Sequence, residues 1–187
     1  MTRHTLIIGG TGMLKSTSVA LAAAADTLTS VARTTKSLNA LNADLADFSG
    51  THHLLELDWN DQHNFLNSLK THINKFGGPS LVVAWLHEDK IGLDIARLCS
   101  SEQGTCRFFQ VRGSEGGDPH ANAESFANQL ENLPGLLYHQ VILGFVRTRS
   151  GSRWLRNSEI SDGVLQATIT GAPISVIGVV EPWDARP

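Results

Sequence analysis

The sequence predicts an α/β domain with a doubly wound, mostly parallel sheet of about seven strands and helices on both faces, in three layers. Short segments rich in β-branched and apolar residues alternate with longer segments whose apolar residues recur at helical spacing. Residues 81–86 are apolar throughout, which is typical of a strand buried on both faces. The length of 187 residues favours one domain, residues 1–187, with a sizeable core.

The predicted strands are seven short segments bounded by turn residues. They cover residues 4–8, 27–32, 53–57, 80–86, 107–112, 138–146 and 174–180. Apolar residues spaced three and four apart predict the helices between and after these strands. The helices cover residues 15–25, 36–49, 61–76, 89–101 and 157–168.

Two of these helices carry apolar stripes. The stripe of helix 61–76 consists of Phe65, Leu66, Leu69 and Ile73. Asn60 is its candidate N-cap, and Gly77-Gly78-Pro79 predicts its end. The stripe of helix 157–168 consists of Ile160, Val164, Leu165 and Ile169.

Residues 113–135 interrupt the alternation. They contain Gly116-Gly117-Asp118-Pro119 and then a weak helical pattern near residues 121–133. Strand-like sequence resumes afterwards without a new domain pattern. We therefore interpret this segment as a loop and a short helix inserted near the site of the single domain.

Composition limits the classes of function. A hydrophobic fraction of 41% and a mean hydropathy of -0.08 are typical of a soluble globular protein. A formal net charge of -3 gives no overall basic field for nucleic acid or an acidic membrane. We see neither a leader pattern nor an apolar run near the roughly 18 residues of a membrane span. Cys99 and Cys106 fit neither a disulfide framework nor a zinc knuckle, so we expect a cytoplasmic protein.

A glycine-rich turn follows the first predicted strand. Leu6-Ile7-Ile8 meets Gly9-Gly10-Thr11-Gly12, and a helix of small residues begins at once. Glycines in this context let the backbone approach a pyrophosphate, whose charge lies on the unpaired N–H groups of the helix. The third glycine of the usual spacing is replaced by Lys15, which loses close helix packing but adds a cation near the phosphates. The alternative is a purely structural turn.

The end of the second strand indicates which dinucleotide is bound. A free ribose hydroxyl is usually met there by an acidic residue. Here the strand ends in Arg33-Thr34-Thr35-Lys36, without a carboxylate. Guanidinium, hydroxyl and ammonium donors suit a 2′-phosphate, so we predict NADP(H) rather than NAD(H). The alternative is a solvated charge pair at a helix start.

The residues of the turn resemble those of a known family. Ile8-Gly9-Gly10-Thr11-Gly12-Met13-Leu14 is similar to the cofactor turn of the atypical short-chain dehydrogenase/reductases, which are Rossmann-fold NAD(P)-binding proteins. The likeness extends through most of the chain. It is greatest to short bacterial proteins described as short-chain dehydrogenases that share the ending Glu181-Pro182-Trp183. The resemblance implies a Rossmann-like fold, nicotinamide cofactor binding, and homodimers or homotetramers.

Three further positions match this family. Asp58-Trp59 follows the third strand, where the family places an aspartate that contacts adenine. Ala84-Trp85-Leu86-His87 ends the fourth strand, where its Asn-Ala-Gly segment lies beside the cofactor, and Gly113-Ser114 lies where its catalytic serine is found. Together the turn, the end of the second strand and the resemblance predict these cofactor-binding residues: Gly9, Gly10, Thr11, Gly12, Met13, Leu14, Arg33, Thr34, Lys36, Asp58, Trp59 and Trp85. Core packing is an alternative for both tryptophans.

The catalytic pattern of the family is absent. Its Tyr-x-x-x-Lys pair cannot be placed, because the only tyrosine, Tyr138, is followed four residues later by Ile142. Tyr138 also opens a predicted strand, whereas the family's tyrosine lies on a helix. The resemblance therefore supports the fold and the cofactor better than it supports the usual mechanism.

Three residues are candidate catalytic groups at the carboxyl ends of the strands. His87 follows the fourth strand and is a candidate proton donor, with a plain loop histidine as the equal alternative. Ser114 is a candidate for polarising the same substrate oxygen, or an ordinary turn residue. Tyr138 offers a hydroxyl, although an aromatic residue at a strand start more often packs in a core.

Two other groups of residues carry weaker signals. His52, His53, His63 and His72 lack a spaced carboxylate or thiolate partner, so no metal site is predicted. A basic cluster after the sixth strand either receives an acidic substrate or, as we favour, forms a solvated surface. It consists of Arg147, Arg149, Arg153 and Arg156.

These observations favour an NADPH-dependent reductase of a small carbonyl or conjugated substrate. A non-catalytic NADP(H)-binding sensor or regulatory protein is the alternative, because the Tyr-Lys pair is missing. A structural domain with an empty crevice is the least favoured. Binding to nucleic acid or membranes is not expected.

Overall fold

The computed structural model of the protein describes residues 3–86, 88–113 and 123–187, apart from the side chain of Asp89. Its strands are β1 (His4–Ile8), β2 (Thr27–Ala32), β3 (Thr51–Glu56), β4 (Leu81–Trp85), β5 (Cys106–Arg112), β6 (Leu136–Leu143), β7 (Phe145–Thr148), β8 (Gly151–Trp154) and β9 (Ile174–Ile177). Its helices are α1 (Lys15–Ala22), α2 (Thr35–Asp44), α3 (Gln62–Phe76), α4 (Asp89–Cys99), α5 (Ala123–Asn128) and α6 (Asn157–Thr170), and a 3₁₀ turn covers Trp183–Ala185. Among these residues no helix combines the length and apolar character needed to cross a bilayer.

Seven strands form one parallel sheet in the order β3-β2-β1-β4-β5-β6-β9. The order reverses at β1, because the chain runs outward to β3 and then returns to place β4 on the other side of β1. This is the doubly wound sheet that the sequence predicts, and the predicted fold class is confirmed. At such a reversal the loops after the two central strands diverge and leave a crevice at the carboxyl edge of the sheet.

Each face of the sheet is covered by its own apolar cluster. Leu6 and Ile8 of β1 join one cluster together with Phe65 of α3, while Ile7 joins the other together with Val164 of α6. Successive strand residues point to opposite faces, so a central strand is buried at successive positions and most of these are apolar. The stripe predicted for helix 61–76 also lies in the first cluster.

The predicted strand 138–146 is wrong, because the structure divides it at Gly144. Strand β6 ends at Leu143, and β7 then pairs with β8 in a separate antiparallel hairpin. A Cβ at Gly144 would overlap the carbonyl oxygen of Val179. Only glycine therefore lets the chain approach the segment after β9 this closely. Sequence periodicity could not reveal this approach, since both halves of the segment are apolar.

Local hydrogen bonds also change some predicted boundaries. Asn60 does not cap α3; Asp61 does, with Oδ1 accepting a hydrogen bond from the backbone N–H of Asn64 at 3.2 Å. The end of α3 at Gly77 is as predicted, and this glycine has a φ of 92°. On α6 the predicted stripe is wrong at Ile169, which is 69% exposed. Of the predicted insertion 113–135, residues 114–122 lie outside the described part of the chain.

Candidate active site

The candidate site lies at the carboxyl edge of the sheet, where β1, β4 and β5 end side by side. Ile8, the last residue of β1, is in register with Ala84, and Trp85 is in register with Val111. Gly9 directly follows β1 and Gly113 directly follows β5, and these two glycines lie on the two sides of Trp85. The topology therefore assembles three segments that are far apart in sequence.

The glycines of the first turn have different roles. Gly9 has a φ of 75°, and a Cβ there would lie 2.6 Å from the carbonyl oxygen of Trp85. A Cβ at Gly10 would lie 2.5 Å from Cγ2 of Ile7 and would overlap the Ser18 hydroxyl. Gly12 differs, since no described atom lies within 4 Å of the position its Cβ would occupy. Packing thus requires Gly9 and Gly10, whereas Gly12 leaves open space in front of the turn.

Helix α1 begins next to this open space. No described side chain caps its first turn, which also contains no acidic residue. The N-terminal end of a helix carries about half a positive charge and unpaired N–H groups, so it is suited to an anion. The ammonium of Lys15 forms an ion pair with Asp44 of α2 and is therefore partly neutralised.

Helix α6 fixes the turn from the other side. The Ser161 hydroxyl donates to the carbonyl oxygen of Met13 at 2.7 Å, and the Thr17 hydroxyl donates to the carbonyl oxygen of Ser161 at 3.0 Å. Leu14 is fully buried in the apolar cluster between these helices. Met13 and Leu14 thus position the turn, while Gly12 faces the open crevice.

The residues predicted to hold the adenosine end gather at the ends of β2 and β3. The guanidinium carbon of Arg33 lies 4.8 Å from the ring centroid of Trp59. Trp59 is 9% exposed and belongs to the core, so its packing and its contact with Arg33 coexist. Asp58 accepts hydrogen bonds from the backbone N–H of Asn60 at 3.0 Å and from its side-chain amide at 2.9 Å.

Thr34 caps α2, with its hydroxyl accepting a hydrogen bond from the backbone N–H of Ser37 at 3.3 Å. Lys36, in the first turn of this helix, is exposed.

Glu56 was not predicted at this position. It is in register with Ala32, so the last residue of β3 brings a carboxylate beside the end of β2. Its carboxylate accepts a hydrogen bond from the Thr35 hydroxyl. The residues that follow β2, Arg33-Thr34-Thr35-Lys36, include no acid, and only strand pairing shows that one lies there.

The Trp85 indole lies along the carboxyl edge between Gly9 and Gly113. A Cβ at Gly9 would lie 3.3 Å from Cδ1 of the indole, and a Cβ at Gly113 would lie 2.6 Å from Cη2. The partly buried indole packs in the same apolar cluster as Met13 and Leu155. Its position beside the glycine turn and its partial exposure suit contact with a flat ligand ring.

Only one of the three candidate catalytic groups, Tyr138, lies in the described part of the chain. His87 and Ser114 lie outside the described residues. Tyr138 is in register with Phe108, four residues or about 13 Å before the carboxyl end of β5. Its hydroxyl donates to Oε1 of Gln110 at 2.8 Å. Tyr138 therefore lies in the amino half of the sheet, and we remove it from the candidate catalytic residues.

Arg112 is a buried cation that sequence reasoning missed. It ends β5, is 2% exposed, and donates to Oε1 of Gln140 at 2.9 Å. Its guanidinium carbon lies 4.4 Å from the ring centroid of Phe126 on α5. The Gln140 amide in turn donates to the carbonyl oxygen of Ala123 at 2.6 Å. An arginine at the end of a largely apolar strand could have indicated this buried cation from the sequence. Arg112 directly precedes Gly113.

The histidines form a hydrogen-bonded chain at the opposite edge of the sheet. Nδ1 of His4 bonds to the carbonyl oxygen of Gly77 at 3.0 Å, so in neutral His4 this nitrogen carries the proton. Nε2 of His4 then accepts from the Thr29 hydroxyl at 2.9 Å, and Oγ1 of Thr29 accepts from Nε2 of His72 at 2.9 Å. Burial lowers the pKa of His72 to about 4 and also lowers that of His4.

The residues present fit the pyrophosphate and adenosine parts of a dinucleotide. Gly12 leaves the approach to α1 open, and the Arg33 guanidinium stands at the end of β2. Trp85 supplies an aromatic surface on the remaining side, toward Gly113. These features fit a bound nicotinamide dinucleotide.

Comparison with known proteins gives matches in structure only. No family model and no curated protein matches the sequence. The chain is similar to a short-chain dehydrogenase from Sphingobium yanoikuyae in complex with NADPH, at 14% identity and a TM-score of 0.74, over 98% of this chain and 91% of that chain. It is also similar to a bulky-bulky ketone specific alcohol dehydrogenase from Comamonas testosteroni, at 13% identity and a TM-score of 0.73, over 98% and 90%. A 3-ketoacyl-ACP reductase from Sinorhizobium meliloti 1021 matches at 20% identity and a TM-score of 0.57, over 78% and 73%.

Likeness at such low identity is informative about architecture. The first two neighbours superpose on this chain, with its seven-stranded parallel sheet, over 98% of its length and at least 90% of theirs. The chain has the Rossmann-type fold of the short-chain dehydrogenase/reductases.

Proposed function

We propose that this protein is an NADP(H)-dependent oxidoreductase that reduces a small carbonyl or conjugated substrate by hydride transfer. The observation that carries the proposal is the open space at Gly12 in front of an uncapped helix α1, with Trp85 beside it and Arg33 at the end of the neighbouring strand. NADPH, when bound, supplies the hydride. The similarity to a short-chain dehydrogenase in complex with NADPH supports this assignment.

The chain's own residues would bind and orient the two reactants. The backbone of Gly9, Gly10, Thr11 and Gly12 would face the pyrophosphate, and Arg33, Thr34 and Lys36 would bind the 2′-phosphate. Asp58, Trp59 and Trp85 would line the adenine and nicotinamide sides. His87 would donate a proton to the substrate oxygen, while Ser114 would hydrogen-bond to the same atom.

The test begins with binding and continues with turnover. We expect NADPH to quench tryptophan fluorescence to saturation, and NADPH to be oxidised when a panel of aldehydes, ketones and enones is supplied. His87→Ala should slow this oxidation by about 100-fold or more while leaving NADPH affinity within about threefold, the range for loss of a general acid. Equal rates for the variant and the wild type would remove His87 from the mechanism.

A non-catalytic NADP(H) sensor is the second candidate. It is favoured by the position of Tyr138, since the only tyrosine of the chain is packed beside Gln110 away from the crevice. Saturable NADPH binding without turnover of any carbonyl in the panel would support the sensor. Turnover of even one compound would support the reductase.

We further propose that the protein works in the cytoplasm as a homodimer or homotetramer. Cys99 and Cys106 are free, buried thiols, which suits a reducing compartment. Ile174 and Val176 on the edge strand β9 are 38% and 41% exposed, and a second copy would cover them. Sedimentation of a monomer at micromolar concentration would contradict this assembly.

A further inference from the structure

Strands β7 and β8 and the segment leading to α6 form a unit at the same edge of the sheet as the candidate site. We call residues 145–156 the arginine hairpin. It begins two residues after β6 ends at Leu143, at the carboxyl edge. Its base is fixed, because Phe145 is fully buried and exchanges two backbone hydrogen bonds of 2.9 Å with Val179.

The other end of the arginine hairpin leads into α6, the helix that contacts the glycine turn. Leu155 packs in the apolar cluster that contains Met13 and Trp85. One helical turn later, Ser161 donates its hydrogen bond to the carbonyl oxygen of Met13. The arginine hairpin therefore lies between the end of β6, at the carboxyl edge of the sheet, and the helix that bonds to the turn before α1.

The arginine hairpin concentrates positive charge in a chain whose net charge is -3. It contains four arginines and no acidic residue, and the nearest acids in sequence are Glu131 and Glu159. Glu159 compensates Arg153, accepting two hydrogen bonds of 2.8 Å from its guanidinium. The Arg153 guanidinium and the backbone N–H of Arg156 lower the pKa of Glu159 to about 2, so this carboxylate stays charged.

Arg147 and Arg149 are not compensated in this way. Both are exposed, and within residues 3–86, 88–113 and 123–187 neither forms an ion pair with a carboxylate. The cross-strand neighbour of Arg147 is Ser152, where an acid would stabilise the hairpin. Arg147 and Arg149 are two residues apart in a short hairpin, where like charges repel one another, so the arrangement favours an anion bound from solution.

We propose that the arginine hairpin binds the anionic group of the substrate, a carboxylate or a phosphate, through Arg147 and Arg149. The reducible group would then lie toward Trp85 and Gly113. This inference rests on the proposed reductase for the position of the reducible group, but not for the anion site itself. It identifies the substrate class as small carbonyl compounds that carry a negative charge.

The test uses two aldehydes that differ by one carboxylate group, 4-carboxybenzaldehyde and benzaldehyde. Their affinities are measured by calorimetry or by saturation-transfer NMR, with and without saturating NADP⁺. The test variant is Arg147→Gln/Arg149→Gln. The matched control is Arg3→Gln/Arg97→Gln, which removes the same charge from two exposed arginines outside the arginine hairpin. These arginines are paired with Asp26 and Asp94.

We expect wild-type protein to bind 4-carboxybenzaldehyde at least about tenfold more tightly than benzaldehyde, as loss of a charge-assisted hydrogen bond implies. The test variant should lose this preference while its affinity for benzaldehyde stays the same. The control should retain the preference. Competition by benzoate and by phenyl phosphate then tells whether a carboxylate or a phosphate fits better.

Three results would overturn the proposal. The first is equal affinity of the wild type for the two aldehydes, and the second is an unchanged preference in the test variant. The third is a test variant that loses affinity for NADPH but not for 4-carboxybenzaldehyde, because the arginines would then bind the coenzyme. If the double variant does not fold, Arg149→Gln in the connection between β7 and β8 repeats the measurement.

The anion site and the proposed function can fail separately. Arginine-dependent binding of 4-carboxybenzaldehyde without any NADPH binding would support the anion site and contradict the proposed reductase. NADPH oxidation with neutral carbonyls only, at the same rate in the test variant as in the wild type, would support the reductase and contradict the anion site.

Discussion

The guanidinium of Arg33 lies over the indole of Trp59, with 4.8 Å between its central carbon and the ring centroid. A stacked guanidinium keeps its N–H donors in its own plane, so the contact orients Arg33 and leaves hydrogen bonds for a ligand. In the proposed function this pair would hold the 2′-phosphate of the coenzyme. Our predictions begin from this pair.

Arg33→Glu should weaken NADPH binding by about 10- to 100-fold and NADH binding by less than about threefold. The variant loses charge-assisted hydrogen bonds to a group that only NADPH carries, and it adds a repulsive charge. Calorimetric titration with both coenzymes measures the difference. Arg97→Glu, with the same change of charge on α4, should bind both coenzymes as the wild type does. An equal effect of Arg33→Glu on both coenzymes would contradict a role in selectivity.

Glu56→Gln should tighten NADPH binding by about two- to fivefold. It removes a negative charge beside the end of β2 and can still accept the hydrogen bond from Thr35. Since the carboxylate is exposed, the gain should shrink as salt is raised from 20 to about 300 mM. The same gain for NADH, or a gain that does not depend on salt, would show that Glu56 changes coenzyme affinity through the local structure and not through its charge.

Gly10→Ala and Gly12→Val should have opposite profiles. Gly10→Ala should destabilise the fold by about 1–3 kcal/mol, because its Cβ would overlap Ile7 and Ser18. Gly12→Val should leave stability within about 0.5 kcal/mol but weaken NADPH binding at least about tenfold, since its side chain fills the open space before α1. Urea unfolding and coenzyme titration of both variants separate the two effects. Intact NADPH affinity in folded Gly12→Val would place the coenzyme elsewhere.

Stability should fall as the solution is acidified below about pH 6.5. Burial, together with the nearby His53, His4 and Lys75, lowers the pKa of His72 from 6.5 to about 4. Between these two values the unfolded chain takes up a proton that the folded chain does not, so the stabilisation is complete above about pH 6.5 and is lost as pH falls toward 4. Urea midpoints at pH 7.5, 5.5 and 4.5 measure the slope.

His72→Gln provides the control for this acid transition. Glutamine retains an N–H donor for Thr29 but does not titrate, so the dependence of the urea midpoint on pH should become shallower. A variant with the wild-type slope would mean that other groups cause the acid sensitivity. His63→Gln, a change on the exposed face of α3, should leave the slope unchanged.

The success of the sequence predictions differs between local and long-range features. Strand β1, the glycine turn and the stripe of α3 follow from spacings within one or two turns of the chain, and the structure contains all three. The predicted strand 138–146 failed at Gly144, because the contact with Val179 that bends the chain lies 35 residues away in sequence. Tyr138 was misplaced for the same kind of reason, since its partner Gln110 is on the neighbouring strand.

The amino-acid sequence by itself determined the alternation of strands and helices, the doubly wound sheet and the position of the glycine-rich turn. Each of these depends on hydrophobic periodicity and on residues that are adjacent in the chain. Only the tertiary structure decided that Glu56 lies beside the end of β2, that Trp85 lies between two glycines, and that Ser161, on the helix after the arginine hairpin, bonds to Met13. Parallel strand pairing joins segments that are tens of residues apart, and no local pattern specifies which side chains will meet at their carboxyl ends.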